Sequence, residues 1–372
     1  MAKKKRKSSK SAQYTIVLPV WAIILIIAIV LAAVGVYYFV YMKKDKGGSD
    51  GAVAVGEFSV HVLMLGNKYN GDCVYVKAGE NDILIDGGSK ATSAPTIKSY
   101  LSEYVTDNTL EYVIVTHADT DHIACFAGTN ANPSLFREYE CLTIIDFART
   151  NRDTNTYNKY VEERDAEVAQ GAKHYTALEC YNQTGDAKRV YSLGESLSMR
   201  VLNNYYYEND SSDENNYSVC DEFIHGSRRF LFTGDLEKDG EERLVANNDL
   251  GEVEFFKAGH HGSKTSSTAA LLSVIKPKIC AVSCSAGYNQ YHAAEENVFP
   301  TQAFVSRISG YTDKVYVTTL GDSAYTGGAD FAPMNGNIVI NSAESVTVTC
   351  SASDTLLKDT PWFAANRTWG AA

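Results

Sequence analysis

The run Thr116-His117-Ala118-Asp119-Thr120-Asp121-His122 follows directly on the apolar stretch Tyr112-Val113-Ile114-Val115, and it constrains this chain more than any other feature. A short, branched, apolar stretch reads as a buried strand, so imidazoles and carboxylates are delivered together at a strand end. Groups of that kind are too costly to crowd without partners, and a pair of divalent cations is their natural company. The chain therefore has to adopt a fold that brings further ligands to the same place.

Two later segments have the same form. Phe230-Leu231-Phe232 runs into Thr233-Gly234-Asp235, and Glu254-Phe255-Phe256-Lys257-Ala258 runs into Gly259-His260-His261-Gly262. Upstream, Phe58–Leu65, Cys73–Val76 and Asp82–Asp86 read as strands and 94–105 as a helix, which gives the order β, β, β, α, β. The polar region 151–187 reads as an insertion beside the core, and 205–216 as an acidic, turn-rich loop. Chemistry at the ends of successive strands is how layered α/β enzymes are built.

Taken singly, some of these residues have plainer readings. Asp86 before two glycines is an ordinary turn residue, and Asp235 can cap the helix expected over Glu237–Asn247. The segment Gly262-Ser263-Lys264-Thr265-Ser266-Ser267 precedes another helix and offers backbone donors, hydroxyls and an ammonium. It reads as a phosphate-binding loop using Ser263, Lys264 and Ser266, against simple helix capping.

In order, Ile83-Leu84-Ile85-Asp86-Gly87-Gly88, Thr116–His122, Asp213–Ser218, Phe232-Thr233-Gly234-Asp235 and Gly259–Ser263 give the chain a family resemblance. From about Glu57 to Ile308 it resembles metallo-β-lactamase-fold hydrolases, and among them the hydrolase domain of ComEC-type competence (DNA-uptake) proteins. The resemblance implies an α/β fold, a four-layer αβ/βα sandwich with two divalent metal ions, zinc or manganese, at one edge of its sheets. By position it implies His117 and Asp119 at a first metal, Asp121 and His122 at a second, and Asp235 as the bridging carboxylate. His261 would close the second site, with His260 as the alternative, and Asp86 would brace the metal loop through hydrogen bonds.

Two departures from the family pattern matter. Asp119 stands where histidine is common, and a carboxylate there suits manganese as well as zinc. The usual histidine before the Thr-Gly-Asp strand is missing, which leaves Asp213 or Asn215 to complete the first site, or a weak first site filled only with substrate. His292 lies where ComEC-like chains carry a loop histidine, though without the prolines usual around it, so the resemblance implies a substrate or acid role against that of a plain loop or packing histidine. The expected chemistry is hydrolysis by activated water, with Asp121 taking its proton and Asp235 acting at the same centre. A phosphodiester, in a nucleic acid or nucleotide, is the favoured substrate. The alternatives are a non-catalytic metal-binding scaffold in an envelope or DNA-uptake complex, or a lactam or other ester hydrolase.

The N-terminal region differs from the rest. Lys3, Lys4, Lys5, Arg6, Lys7 and Lys10 precede an uncharged apolar stretch over 14–42, longer than the ~20 residues that cross a bilayer. The expected layout is a basic cytoplasmic tail (1–13), a transmembrane helix (14–42), a linker (43–56), a metallo-β-lactamase-like domain (57–310), and a small β extension with tail (311–372). More basic residues precede the apolar stretch than follow it, so the expectation is a single-pass cell-membrane protein with its catalytic domain outside. The net charge is −11 despite that basic start, so polyanions are repelled unless metals or a local basic patch intervene. Eight cysteines are present, and runs such as Ile279-Cys280-Ala281-Val282-Ser283-Cys284 read as buried thiols rather than bridges.

Overall fold

The computed structural model describes residues 57–290, 295–321 and 330–370. The chain divides into two units, Met1–Gly51 and Ala52–Ala372, and every described residue belongs to the second. Its first strands are Phe58–Val62 (β1), Val74–Ala78 (β2), Asn81–Ile85 (β3), Thr109–Val115 (β4), Glu140–Asp146 (β5) and Lys173–Thr176 (β6). Next come Val190–Ser192 (β7), Leu197–Val201 (β8), Asp221–His225 (β9), Arg228–Phe232 (β10) and Phe255–Lys257 (β11). The last are Ile279–Ala286 (β12), Val315–Gly321 (β13), Phe331–Pro333 (β14), Ile338–Ser342 (β15) and Val346–Cys350 (β16). The helices are Ala94–Leu101 (α1), Thr120–Ala127 (α2), Asn155–Gln170 (α3), Ala177–Asn182 (α4), Lys238–Asn247 (α5), Ala269–Ile275 (α6), Gln302–Ile308 (α7) and Pro361–Asn366 (α8).

The strands form two eight-stranded sheets, ordered β16-β15-β1-β2-β3-β4-β5-β6 and β14-β13-β12-β11-β10-β9-β8-β7. In each, a block of parallel strands carries the helical crossovers: β3 to β6 in one sheet, β10 to β13 in the other. Every residue of β12 is buried, as expected of a strand with parallel neighbours and both faces covered. The sheets meet face to face, with the Phe58 ring centre 4.6 Å from that of Phe230 and 5.8 Å from that of Phe223. On the second sheet, Leu244, Leu271 and Phe304 from α5, α6 and α7 share one apolar cluster with Phe256, Cys280 and Val282. The mixed α/β, two-sheet architecture implied by the motifs is the one observed. All eight cysteines are free thiols, seven of them buried.

Three expectations are corrected. The described residues of the expected β extension are no separate appendage: β13 pairs with β12, and β15 pairs with β1 and buries Ile338, Val339 and Ile340. Local pattern reveals a strand but not its partner, and burial against a distant neighbour decides the sheet it joins. The region 151–187 likewise supplies β6 to the first sheet, and α3 packs on α2. The single-pass membrane localisation is also withdrawn. Among the described residues no helix is long and apolar enough to cross a membrane, and the stretch 14–42 lies outside them.

One core residue breaks the apolar pattern. Asp221 shares the inner face of β9 with Phe223, is fully buried, and has no hydrogen-bond partner at either oxygen among the described residues. Burial, with Asp86 adding to it, holds its acid well above the usual 3.8. A raised folded value means the contribution is intact below about pH 4 and is lost as pH climbs, because the unfolded chain ionises first. Asp221→Asn is therefore expected to stabilise the protein by about 1–3 kcal/mol at pH 7 and to leave it unchanged near pH 4. Urea melts at the two pH values check this, and a loss of stability at pH 7 would count against it.

Candidate metal centre

Strands β4, β10 and β11 point their C-terminal ends at one edge of the sandwich, where parallel sheets usually place their chemistry. After β4 the chain turns through Thr116–Asp119 into α2, whose first turn carries Asp121 and His122. Beyond β10, Thr233-Gly234 delivers Asp235, and β11 is followed by a tight turn holding His260 and His261 at φ +44° and +54°. Left-handed backbone costs about 1–2 kcal/mol per non-glycine residue. Here the turn is held by hydrogen bonds from His260 N to Gly234 O (3.3 Å) and from Ser263 N to His260 O (2.8 Å).

The side chains converge. His122 Nε2 lies 3.2 Å from Asp235 Oδ2, and His261 Nε2 lies 3.3 Å from the same oxygen and 3.4 Å from Asp121 Oδ2. His117, His122 and Asp235 form one metal-competent cluster, and Asp121, His122 and His261 another. Asp72 adds two more, with Asp86 and His122 and with Asp235 and His261. Three atoms facing this space, His117 Nε2, His261 Nε2 and Asp235 Oδ1, are buried without a hydrogen-bond partner among the described residues. Imidazole nitrogens and carboxylate oxygens so arranged fit a pair of divalent cations.

The electrostatics point the same way. Burial opposes charge on His122 and His261, yet Asp235 leads a set of carboxylates that lifts both well above the ordinary histidine value. Asp121 and Asp235 are likewise depressed by these imidazoles against the pull of burial. His117 is lowered, by burial first and His122 second, and so stays a neutral nitrogen donor. The carboxylates thus demand positive charge at this edge.

Hydrogen bonds orient the rings. Asp86 accepts from Thr116 N, Thr116 Oγ1 and His122 Nδ1, each at 2.8 Å, which leaves His122 Nε2 facing Asp235. His261 Nδ1 donates to Ser283 O at 2.8 Å. Asp72 Oδ1 stands 3.3 Å from the same nitrogen, and Asp72 Oδ2 is paired with buried Lys257 at 2.5 Å.

Other expected residues sit apart. Asp119 is gripped by Arg152, whose Nε and Nη2 donate to its two oxygens along one guanidinium edge, and its Oδ2 lies 3.7 Å from His117 Nε2. Asp213 caps a short turn by accepting from Asn215 N and joins none of the metal-competent clusters. Asn215 Nδ2 lies 3.4 Å from Glu237 Oε1. The same Glu237 oxygen is 3.0 Å from His260 Nδ1, and His260 Nε2 stays 3.9 Å from Asp235 Oδ2, at the rim. His292 lies outside the described residues.

In the expected phosphate loop the donors meet partners from within the fold. Ser263 Oγ bonds to Thr265, Lys264 Nζ pairs with Glu296 at 2.8 Å, and buried Ser266 donates to Leu236 O at 2.8 Å. The backbone donors of Ser267 and Thr268 end on Glu241, at 2.6 and 2.7 Å. Helix N-termini attract the nearest anion, and here α5 supplies it from within the fold. Burial pushes Glu241 up to about 7, against the pull of Thr268 and Ser267.

Sequence reasoning missed Asp72, Arg152, Glu214, Glu237 and Glu241, and passed over Lys257. An ammonium inside Phe255-Phe256-Lys257-Ala258 was a readable signal, because a charge in a buried strand requires a partner. Asp72, after the Asn70-Gly71 turn, carried a weaker one. Nothing in the sequence marked Arg152.

A profile described as "Metallo-beta-lactamase superfamily" matches residues 66–128. ComE operon protein 3 of Bacillus subtilis (strain 168) is 26% identical over 192 residues, 51% of this chain and 22% of that protein. Competence protein ComA of Neisseria gonorrhoeae is 32% identical over 123 residues, 32% of this chain and 16% of that protein. The chain thus spans under a quarter of the length of these curated relatives. Among solved structures, the metallo-beta-lactamase fold protein YhfI from Bacillus subtilis aligns over 72% of this chain and 98% of its own, with 11% identity and a TM-score of 0.39. Residues 66–128 thus carry a metallo-β-lactamase superfamily match, and the chain is similar, at low identity, to competence proteins of the ComEC type.

Proposed function

We propose that the chain hydrolyses phosphodiesters with two divalent cations, zinc or manganese, held at this edge. The observation that carries the reading is the convergence of buried His117 Nε2, His261 Nε2 and Asp235 Oδ1, which make no hydrogen bond among the described residues, on the space that Asp121 and His122 also face. His117 would hold one cation and Asp121, His122 and His261 the other, with Asp235 shared. Such a pair, when bound, supplies Lewis acidity that acidifies water and offsets charge on a phosphoryl group.

The chain's own groups do the rest. The Asp121 side chain is 18% exposed where His261 is fully buried, so Asp121 meets incoming water and accepts its proton. Asp86 and Ser283 O keep His122 Nε2 and His261 Nε2 turned inward. Similarity to competence proteins supports a nucleic-acid phosphodiester, and the acidic character of the chain favours a small or single-stranded one. A second reading, a metal-binding scaffold without turnover, is favoured by the hold of Arg152 on Asp119, which leaves the His117 set poorer in donors.

The test uses the full chain, stripped by chelation and reloaded with manganese or zinc. Substrates are bis(p-nitrophenyl) phosphate and single-stranded DNA, beside an Asp121→Ala, His122→Ala variant. Chelation is expected to abolish hydrolysis, metal to restore it, and the variant to stay silent. Metal-loaded protein that cleaves neither substrate would favour the scaffold, and a rate indifferent to chelation would exclude metal-dependent hydrolysis.

A further inference from the structure

The loop between β5 and α3 has no recognisable chemistry in sequence, yet it is fastened to the metal centre. Buried Glu214 accepts from Thr150 Oγ1 at 2.7 Å and from Asn151 N at 2.6 Å, and also from Ala118 N at 3.3 Å inside the His/Asp run. Asn151 Nδ2 adds a bond to Ser211 O at 2.7 Å. From this anchorage Arg152 places Nε and Nη2 on the two oxygens of Asp119, the Nη2 bond at 2.9 Å. That carboxylate is in turn 3.7 Å from His117 Nε2.

The side chain of Arg152 is nonetheless 41% exposed, and its Nη1 makes no hydrogen bond among the described residues. A guanidinium carries five donors in a rigid fork. One carboxylate has already fixed its plane, so a second anion binds with little further loss of freedom. The chain carries net charge −11, so an approaching oxyanion needs local compensation. Lys264, the cation expected to give it, is committed to Glu296.

We propose that Arg152, held in place by Asp119 and the Glu214-anchored loop, binds a non-bridging oxygen of the substrate and selects anionic over neutral esters. This rests on the phosphodiester reading and names the residue that recognises the charge. Asp119 then acts as a positioning residue for Arg152.

The experiment titrates inorganic phosphate by calorimetry into full-length, manganese-loaded wild type, Arg152→Gln and Arg152→Lys. Phosphate affinity is expected to fall about tenfold or more in Arg152→Gln, with partial recovery in Arg152→Lys, which keeps the charge but not the fork. With bis(p-nitrophenyl) phosphate, KM should rise by a similar factor at nearly unchanged kcat, while neutral p-nitrophenyl acetate is handled as by wild type. Manganese content and melting temperature, read on the same samples, should hold. Unchanged phosphate affinity overturns the proposal, as does an equal loss on both esters accompanied by weaker manganese binding, which would make Arg152 a mere brace for Asp119. If wild type cleaves no ester but Arg152→Gln still loses phosphate affinity, the hydrolase reading fails and anion recognition stands.

Discussion

Asp235→Asn is expected to lower metal-dependent hydrolysis by about a thousandfold, roughly 4 kcal/mol in the barrier, while the chain stays folded. One oxygen of Asp235 lies 3.2 Å from His122 Nε2 and 3.3 Å from His261 Nε2, and the other is buried without a partner. The amide keeps the shape but offers one neutral oxygen and an NH2 group where two negatively charged oxygens stood. Added manganese should raise the melting temperature of wild type, because a ligand that binds only the folded state stabilises it. The same addition should leave Asp235→Asn almost unmoved. Turnover and paired melts with and without metal check both halves, and a variant retaining wild-type turnover would remove Asp235 from the chemistry.

Lys257→Met should destabilise the protein by about 3–5 kcal/mol, the usual consequence of leaving a buried charge unpaired. Lys257 Nζ lies 2.5 Å from Asp72 Oδ2 with both side chains buried, and it also donates to Ala258 O at 2.9 Å. Asp72 cannot move to water, because its own N–H donates to Asp121 O and its carbonyl accepts from Gly88 N. Burial alone would raise the Asp72 acid, but Lys257 and then His261 override it and hold it at about 2. A depressed folded value means that the stabilisation is present above the ordinary 3.8 and is lost as pH falls toward about 2. The Lys257→Met, Asp72→Asn double variant should recover much of the loss, since replacing both charges removes the orphan. Urea unfolding of the three proteins at pH 7 and pH 3 decides it, and a single variant as stable as wild type would show that the pair is dispensable.

The candidate site was legible wherever its residues are neighbours in sequence or end an apolar strand. His117, Asp121 and His122 share one turn after β4, and Asp235 and the His260-His261 pair follow strands whose apolar runs are plain. The loop Ser263–Ser267 misled for the converse reason. Its hydroxyls and backbone donors look like an anion site in isolation, but the anion is Glu241, carried in by a helix more than twenty residues earlier. Asp119 was legible as a candidate ligand but its partner was not, because Arg152 comes from the far side of β5 to pair with it.

By itself, the sequence determined which strands end in candidate metal ligands and the class of the fold, since alternating apolar runs and strand-end ligands are local facts. Only the tertiary structure decided that β13 to β16 complete both sheets, that Lys257 answers Asp72, and that Glu214 ties the Arg152 loop to the His117–His122 run. The physical reason is that a buried charge or a strand edge takes whatever partner the packing of distant segments brings within a few ångströms, and no stretch of sequence contains that distance.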